Sequence, residues 1–449
     1  MSSNSESLLS LFNERKAQVS IVGCGYVGLP LCVAIAKAGY FVNAIDLDPK
    51  KVDSINLGIT YIEGVSSEDL TMLGKAGKLK ATLSPEVIFQ SHVVIVCVPT
   101  PLDKNEDPDL SFILNAMTGV AHFAHSGLLI VLESTTYPGT TREVVLPLFE
   151  KQGLCIGSDF FLCFSPERID PGREDYTVFN TPKVIGGITQ ECLQMGQAFY
   201  ASILHKIVPV SSVETAEMVK ILENSFRSVN IAFINEMMKI CERLGFDIWE
   251  IIEAAETKPF GFMKFSPGPG VGGHCIPIDP LYLSWRAGQF GETCAFISLA
   301  HKMNKSMPKF WLDQIERGLS QIGQTLSDSC VLVLGISYKR DIKDLRESPA
   351  LDIIDLLRES GAQIIYYDPY FTSFVYHEQF YLGEEDVHRA LQAADCAILV
   401  TDHTIFKEIE FDLYECIFIN TRGHGKPNKG GKEQHKLQQD VAYAVSSGK

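Results

Sequence analysis

Apolar residues in this chain fall into short runs separated by helical periods, and the runs recur in one order. Residues 19–22 form the first run, followed by a glycine turn, a segment at 29–38 with apolar residues at three and four spacing, Gly39, and a second run at 41–45 that closes at Asp46. Strand, turn, helix, strand is the opening of a parallel doubly wound sheet. Further runs at 93–98 and 128–132 end in Pro99-Thr100-Pro101 and Glu133-Ser134-Thr135. Side chains at such strand ends line the crevice in which open α/β sheets bind ligands.

The C-terminal part repeats the plan, with a run at 330–334, a helical segment at 349–360, Gly361, and a run at 363–367 that closes in Asp368-Pro369. Runs at 395–400 and 416–419 then parallel 93–98 and 128–132. Between the two copies, residues 213 to about 257 carry Met218, Ile221, Leu222, Phe226, Val229, Phe233, Met237, Ile240 and Leu244 at helical spacing. The spacing predicts a long central helix, interrupted at Gly245. It is apolar over so much of its surface that a second copy of the chain is expected to pack on it, making a homodimer. The expected fold is α/β: a Rossmann-like domain over 1–208, a central helical, dimer-forming domain over 209–318, and a second Rossmann-like domain over 319–449.

Composition narrows the function. With 449 residues, 46% of them hydrophobic, several cores are within reach. A formal charge of −16 and the absence of any long basic run argue against nucleic acid as a partner. No run of about eighteen apolar residues predicts a membrane span, and residues 1–18 lack the basic start and apolar core of a signal peptide. Twelve cysteines without a CxxC pair or zinc spacing predict no metal site and fit the reducing cytoplasm.

Only the first copy carries Gly23-Cys24-Gly25-Tyr26-Val27-Gly28, a GxGxxG between strand and helix. The first glycine permits the turn, the second lets a pyrophosphate approach the backbone, and the third lets helix and strand close. Asp46, at the end of the next strand, is placed to bond ribose hydroxyls and to repel a 2′-phosphate, so NAD is expected rather than NADP. It can equally begin a turn before Pro49.

Four glycines precede Cys275 and two prolines follow it, in Gly270-Val271-Gly272-Gly273-His274-Cys275-Ile276-Pro277 and its flanks, a loop unlike the apolar runs that hold the other cysteines. Asp279-Pro280 reads as the cap and first residue of a helix, whose N-terminus favours a thiolate nearby. Cys275 is therefore the candidate nucleophile. Asp279 can also be only a cap, and His274 only a turn residue. Lys220 and Asn224, four apart, share one helical face and by themselves read as a solvated pair.

The motifs 22–30, Glu133-Ser134-Thr135, 164–168, Lys220 with Asn224, Gly272-Gly273-His274-Cys275 with Asp279, and Lys339 with 346–349 stand in the order of one family, which the chain resembles over nearly its whole length: the UDP-glucose/GDP-mannose dehydrogenases. Within it, 258–263 and 272–280 look most like the UDP-N-acetylglucosamine 6-dehydrogenase branch. The resemblance implies a four-electron, NAD-dependent oxidation of the C6 hydroxyl of a UDP-sugar to a uronic acid through a Cys275 thiohemiacetal and thioester. It implies Lys220 and Asn224 at the oxyanion, Asp279 and Thr135 at the water, and Glu167 as acid/base partner. Gly23, Gly25, Tyr26, Val27, Gly28, Asp46, Thr100, Thr135 and Arg346 would hold the cofactor. Glu167, Arg168, Lys220, Asn224, Phe260, Gly272, Lys339 and Arg422 would hold the substrate, and the site is expected to close between the two Rossmann-like domains. Pro171 stands where glucose-specific members often carry a glutamate, Lys258-Pro259-Phe260 replaces a segment that supplies an arginine in them, and Asn420 replaces the usual aspartate before Thr421-Arg422. The first two departures argue against UDP-glucose, which stands with UDP-N-acetylmannosamine as an alternative to UDP-N-acetylglucosamine. A single-step dehydrogenase would share GxGxxG and Asp46 without needing Cys275, and a non-catalytic nucleotide-sugar sensor would not need Cys275, Lys220, Asn224 and Asp279 together.

Overall fold

A computed structural model describes residues 3–62, 64–168 and 175–423; Pro171 lies outside the described residues. The chain divides into two compact units, Met1–Asn224 with Ile278–Thr293 and Ser225–Pro277 with the residues from Cys294 on.

The first unit is built on strands β1 (Gln18–Val22), β2 (Phe41–Ile45), β3 (Leu79–Thr82), β4 (Val93–Val96), β5 (Leu128–Leu132), β6 (Phe160–Phe164), β7 (Lys183–Gly187) and β8 (Ile207–Pro209). They form one sheet in the order β3-β2-β1-β4-β5-β6-β7-β8. Neighbours are parallel except β6 and β7. The central strands are apolar at every position because both faces are covered: Val93, Ile95, Leu129 and Val131 enter one core, and Val94, Val96, Leu128, Ile130 and Leu132 the other. Each such side chain contributes on the order of 1.5–3 kcal/mol of transfer free energy. β4 stops two residues earlier than its apolar run because Val98 N–H turns to Ser134 Oγ at 2.9 Å instead of continuing the ladder. β7 and β8 were not anticipated; two glycines dilute the β7 pattern, and Gly186 is required where a Cβ would strike the Ser212 carbonyl.

The second unit carries β9 (Cys330–Leu334), β10 (Gln363–Tyr367), β11 (Ser373–Tyr376), β12 (Gln379–Leu382), β13 (Cys396–Leu399) and β14 (Ile417–Asn420). A parallel sheet runs β10-β9-β13-β14, and β11-β12 is a separate antiparallel hairpin absent from the sequence-based expectation. The central helix spans Val213–Leu244. Gly245, at φ +75°, ends it, and Asp247 caps a second helix, Ile248–Glu256, through Trp249 N–H.

Candidate active site

The dinucleotide motif opens on Gly23, whose φ of +92° is open to glycine without strain and whose N–H donates to Ile45 O at 2.8 Å. A Cβ on Gly28 would run into the Gly23 carbonyl, so the third glycine is required for the helix Gly28–Lys37 to start there. No side chain caps that helix. Leu29 N–H donates to Gly25 O at 3.1 Å and Pro30 has no N–H, so what this helix end offers a pyrophosphate is the positive end of its dipole. Asp46, 8% exposed, accepts from Cys24 N–H through Oδ2 at 2.8 Å and from Asp48 N–H through Oδ1 at 3.0 Å. The carboxylate thus braces the glycine loop and also begins the turn, while Asp48 caps the helix Pro49–Leu57. Tyr61 OH donates to Cys24 O at 2.6 Å, a further brace that the sequence did not reveal. Tyr26 and Val27 are half-buried, as is Thr100, whose carbonyl accepts from Tyr282 OH at 2.7 Å. The glycine clearances, the uncapped helix and the carboxylate fit a bound NAD.

On the central helix, Lys220 and Asn224 are buried rather than solvated, at 8% and 5% exposure. Lys220 Nζ donates to the Glu167 carbonyl at 2.5 Å, and Asn224 Nδ2 donates to Asp279 Oδ2 at 2.5 Å. The reading of Asp279 as a cap is corrected here. Ile278 occupies the cap position, Asp279 is the first residue of the helix Asp279–Gly288, and its carboxylate is committed to Asn224. Burial pushes the Asp279 carboxyl up to about 7, against the pull of the Lys220 charge and the Asn224 bond. A carboxyl with that affinity exchanges a proton near neutral pH, the property a general base requires. Glu167 is 8% exposed at the end of β6, and its neighbour Arg168 is paired with Glu223 of the central helix at 2.6 Å and with Pro182 O at 3.0 Å. Arg168 thus fixes the strand end to the helix. Thr135 is half-buried while its neighbours Ser134 and Thr136 are buried, so it is the open residue of that strand end.

Two supports escaped the sequence. One turn before Lys220, Glu217 is fully buried and accepts from Gly139 N–H (2.6 Å), Thr141 N–H (2.8 Å) and Thr141 Oγ1 (2.6 Å). It ties the segment after Thr135 to the central helix. Beneath the strand ends, Lys183 Nζ bonds Glu133 Oε2 at 2.7 Å, and Tyr200 OH also donates to Glu133. A glutamate placed directly after the apolar run 128–132 was the available signal, since a charge there needs a buried partner.

In the second unit the Cys275 loop lies on the loops that follow β9 and β14. Gly273 N–H donates to Arg346 O at 3.0 Å, and a Cβ on Gly272 would stand 2.7 Å from Tyr338 Cβ. Cys275 is half-buried. Arg346 forks onto Asp344, with Nη2 at 2.6 Å from Oδ2. Lys339 is half-buried on the same loop, and Phe260 is 71% exposed under the Lys258 ammonium. Arg422 donates through Nε to Val400 O at 2.7 Å, and burial with the neighbouring Arg340 brings it down to about 10, so it stays a cation at neutral pH. Asn420 Oδ1 accepts from Arg422 N–H (2.9 Å) and Gly423 N–H (3.1 Å), the turn bonds an aspartate would accept, so its amide seats Arg422 equally well. Among the described residues no cluster of ligating side chains is arranged for a metal.

Residues 17–204, 214–306 and 332–423 match, in turn, the NAD binding, central and UDP binding domains of the UDP-glucose/GDP-mannose dehydrogenase family. The chain is 34% identical over 397 residues to the UDP-N-acetyl-D-mannosamine dehydrogenase of Pyrococcus horikoshii, spanning 88% of this chain and 91% of that one. It is 34% identical over 422 residues to the NDP-N-acetyl-D-galactosaminuronic acid dehydrogenase of Ralstonia nicotianae, spanning 90% and 95%. To the UDP-N-acetyl-D-glucosamine 6-dehydrogenase of Pseudomonas aeruginosa it is 32% identical over 438 residues, spanning 96% and 98%. The solved UDP-D-ManNAc dehydrogenase of Pyrococcus horikoshii superposes at a TM-score of 0.85 and 33% identity, covering 92% of this chain and 97% of that one.

Proposed function

Because the chain belongs to the UDP-glucose/GDP-mannose dehydrogenase family, whose members are NAD-dependent oxidoreductases, we propose that it oxidises the C6 hydroxyl of a UDP-N-acetylhexosamine to the carboxylate. UDP-N-acetylglucosamine is the first substrate expected, with UDP-N-acetylmannosamine the alternative. Lys258-Pro259-Phe260 argues against UDP-glucose, and the three similar dehydrogenases are named for different N-acetylhexosamines or their acids.

The observation that carries the reading is the water-shielded trio of Lys220, Asn224 and Asp279, a cation, an amide and a carboxyl that takes up a proton near pH 7. Gly23, Gly25, Tyr26, Val27, Gly28, Asp46, Thr100, Thr135 and Arg346 would hold NAD, and two NAD molecules bound in turn would each accept one hydride. Asp279 takes the proton of the C6 hydroxyl through water ordered with Thr135. The Cys275 thiolate adds to the C6 aldehyde carbon, and the Lys220 ammonium with the Asn224 amide stabilises the oxyanion that forms. After loss of the second hydride the product is a thioester, and water activated by Asp279 or Glu167 cleaves the C–S bond and returns the thiolate. A thiolate suits both roles because it is a soft nucleophile and a good leaving group. Lys339 and Arg422, with Arg168 and Phe260, hold the UDP-sugar, the cations pairing with its diphosphate.

The central helix also presents Leu222, Phe226, Phe233, Ile240 and Leu244 to solvent at 43–62% exposure, one stripe along a 32-residue helix. A second copy of the chain is the occupant proposed for it. A molar mass of twice the chain in solution is expected, and a chain-sized mass at micromolar concentration opposes it. No described helix is long and apolar enough to cross a membrane, and the cytoplasm is the compartment in which the Cys275 thiol would stay reduced. The substrate is tested by kcat/KM over UDP-glucose, UDP-N-acetylglucosamine, UDP-N-acetylmannosamine and GDP-mannose. An N-acetylhexosamine preferred by about 100-fold supports the reading, and a preference for UDP-glucose overturns it.

A further inference from the structure

Seven residues before Cys275, both backbone polar groups of Gly268 are held by buried side chains. Its N–H donates to Asn235 Oδ1 at 3.0 Å, and its carbonyl accepts from Trp311 Nε1 at 3.2 Å. Because a backbone N–H can only donate, the Asn235 amide has one possible orientation, with Nδ2 facing Asn304 Oδ1 at 3.0 Å. Asn304 in turn donates to the Ser228 carbonyl at 3.2 Å. Asn235 is 0% exposed and Asn304 7%, and the helical neighbours Ile234 and Met238 belong to the apolar core of this unit.

A primary amide in such a place costs stability unless every partner is met, and a leucine would fill the same volume without that requirement. What the amide adds is direction. It fixes where the backbone of the glycine loop begins, with the Arg422 guanidinium against it: a Cβ on Gly268 would lie 3.0 Å from Nη1. The second anchor is the Gly273 N–H on Arg346 O, two residues before Cys275. Between these points the chain has only proline, glycine and valine and no side-chain polar group with which to set its own course.

We propose that Asn235 is a positioning residue for Cys275, holding the start of the nucleophile loop through Gly268 with Asn304 and Trp311 as its supports. The inference rests on the reading of Cys275 as the nucleophile. A displaced loop leaves the binding of nucleotide and sugar intact but moves the sulfur off its line of attack, so turnover is lost rather than affinity.

The test is Asn235→Leu. The expected result is a fall in kcat of about 30-fold with KM for NAD and UDP-sugar within about threefold. The rate at which iodoacetamide carbamidomethylates Cys275, read by peptide mass spectrometry against the exposed Cys155 in the same sample, should change by about fivefold. Asn235→Asp provides the rescue. Burial favours its protonated form, which accepts from Gly268 and donates to Asn304 as the amide does, so activity relative to the wild type at the same pH returns near pH 6 and falls as rising pH removes that proton. If Asn235→Leu does not fold, Trp311→Phe removes the indole donor while keeping a ring, and the same readouts apply. Wild-type kcat and labelling ratio in the folded variant overturn the proposal, as does an Asn235→Asp enzyme with the pH profile of the wild type. A Cys275→Ser enzyme that still yields two NADH per sugar overturns instead the reading on which the proposal rests.

Discussion

The two Rossmann-like sheets begin with the same turn and put it to opposite uses. Gly23 and Gly335 both have positive φ, +92° and +76°, and both donate to the end of the neighbouring strand, to Ile45 O at 2.8 Å and Tyr367 O at 2.9 Å. In each, an aspartate at that strand end accepts from the amide after the glycine: Asp46 from Cys24 N–H and Asp368 from Ile336 N–H, both at 2.8 Å. Beyond this point they part. Besides the backbone donors Cys24 N–H and Asp48 N–H, Asp46 has the half-buried Lys51 ammonium at 3.3 Å from Oδ2, which a ribose can displace. Asp368 is closed by His403 Nε2 at 3.0 Å and by Ser337 Oγ at 3.2 Å, with both members of the Asp–His pair buried. His403 Nδ1 accepts from Asp341 N–H at 2.9 Å, which leaves Nε2 as the donor to Asp368. The carboxylate proposed to read a ribose in one copy is a structural bolt in the other, so shared topology does not carry shared ligand chemistry.

The largest effect expected from breaking this comparison is on the bolt. His403→Ala leaves a buried carboxylate short of a partner and is expected to cost about 3 kcal/mol of stability with little change in NAD affinity. Asp46→Asn is expected to do the reverse, raising KM for NAD about 30-fold with a small change in stability. Denaturant unfolding and NAD kinetics on the two variants separate the roles, and equal effects on both readouts would erase the distinction.

Asp279 sharpens the contrast, because it is as buried as Asp368 yet lies on the other side of its ordinary value. Burial alone raises both, but the His403 hydrogen bond and the backbone donors outweigh it at Asp368, whereas at Asp279 burial prevails and the carboxyl titrates near 7. The stability that Asp368 contributes is present above its unfolded value and lost as pH falls through its lowered one. That of Asp279 is present below its unfolded value and lost as pH rises through about 7. The proposed base role needs the ionised Asp279, so kcat should fall about tenfold per pH unit below this value. Asp279→Asn should remove that limb, lower turnover, and unfold at a higher temperature than the wild type above neutral pH. A wild-type pH limb in this variant assigns the titration to another group.

How much was legible in the residues follows from the same physics. β5 and β9 lie where the apolar runs place them, since strands covered on both faces must be apolar without interruption. β7, β8 and the hairpin β11-β12 were not, because two glycines, three-residue length or an exposed face leave no continuous pattern. The glycine loop and Asp46 could be read because their chemistry is local. Asp279 was read as a cap because Asp-Pro is a cap signal, while the amide that claims it, Asn224, is 55 positions away. The burial of Lys220, Glu217 and Asn235 is likewise set by distant chain, which spacing along one helix does not encode.

The central claim is that one active site removes four electrons from a sugar carbon through a sulfur-bound acyl intermediate. The direct measurement is NADH formed per UDP-N-acetylhexosamine consumed at complete conversion, with the sugar product identified by mass. The account predicts a ratio of two and a uronic acid, both abolished in Cys275→Ser; a ratio of one with release of the aldehyde would contradict it.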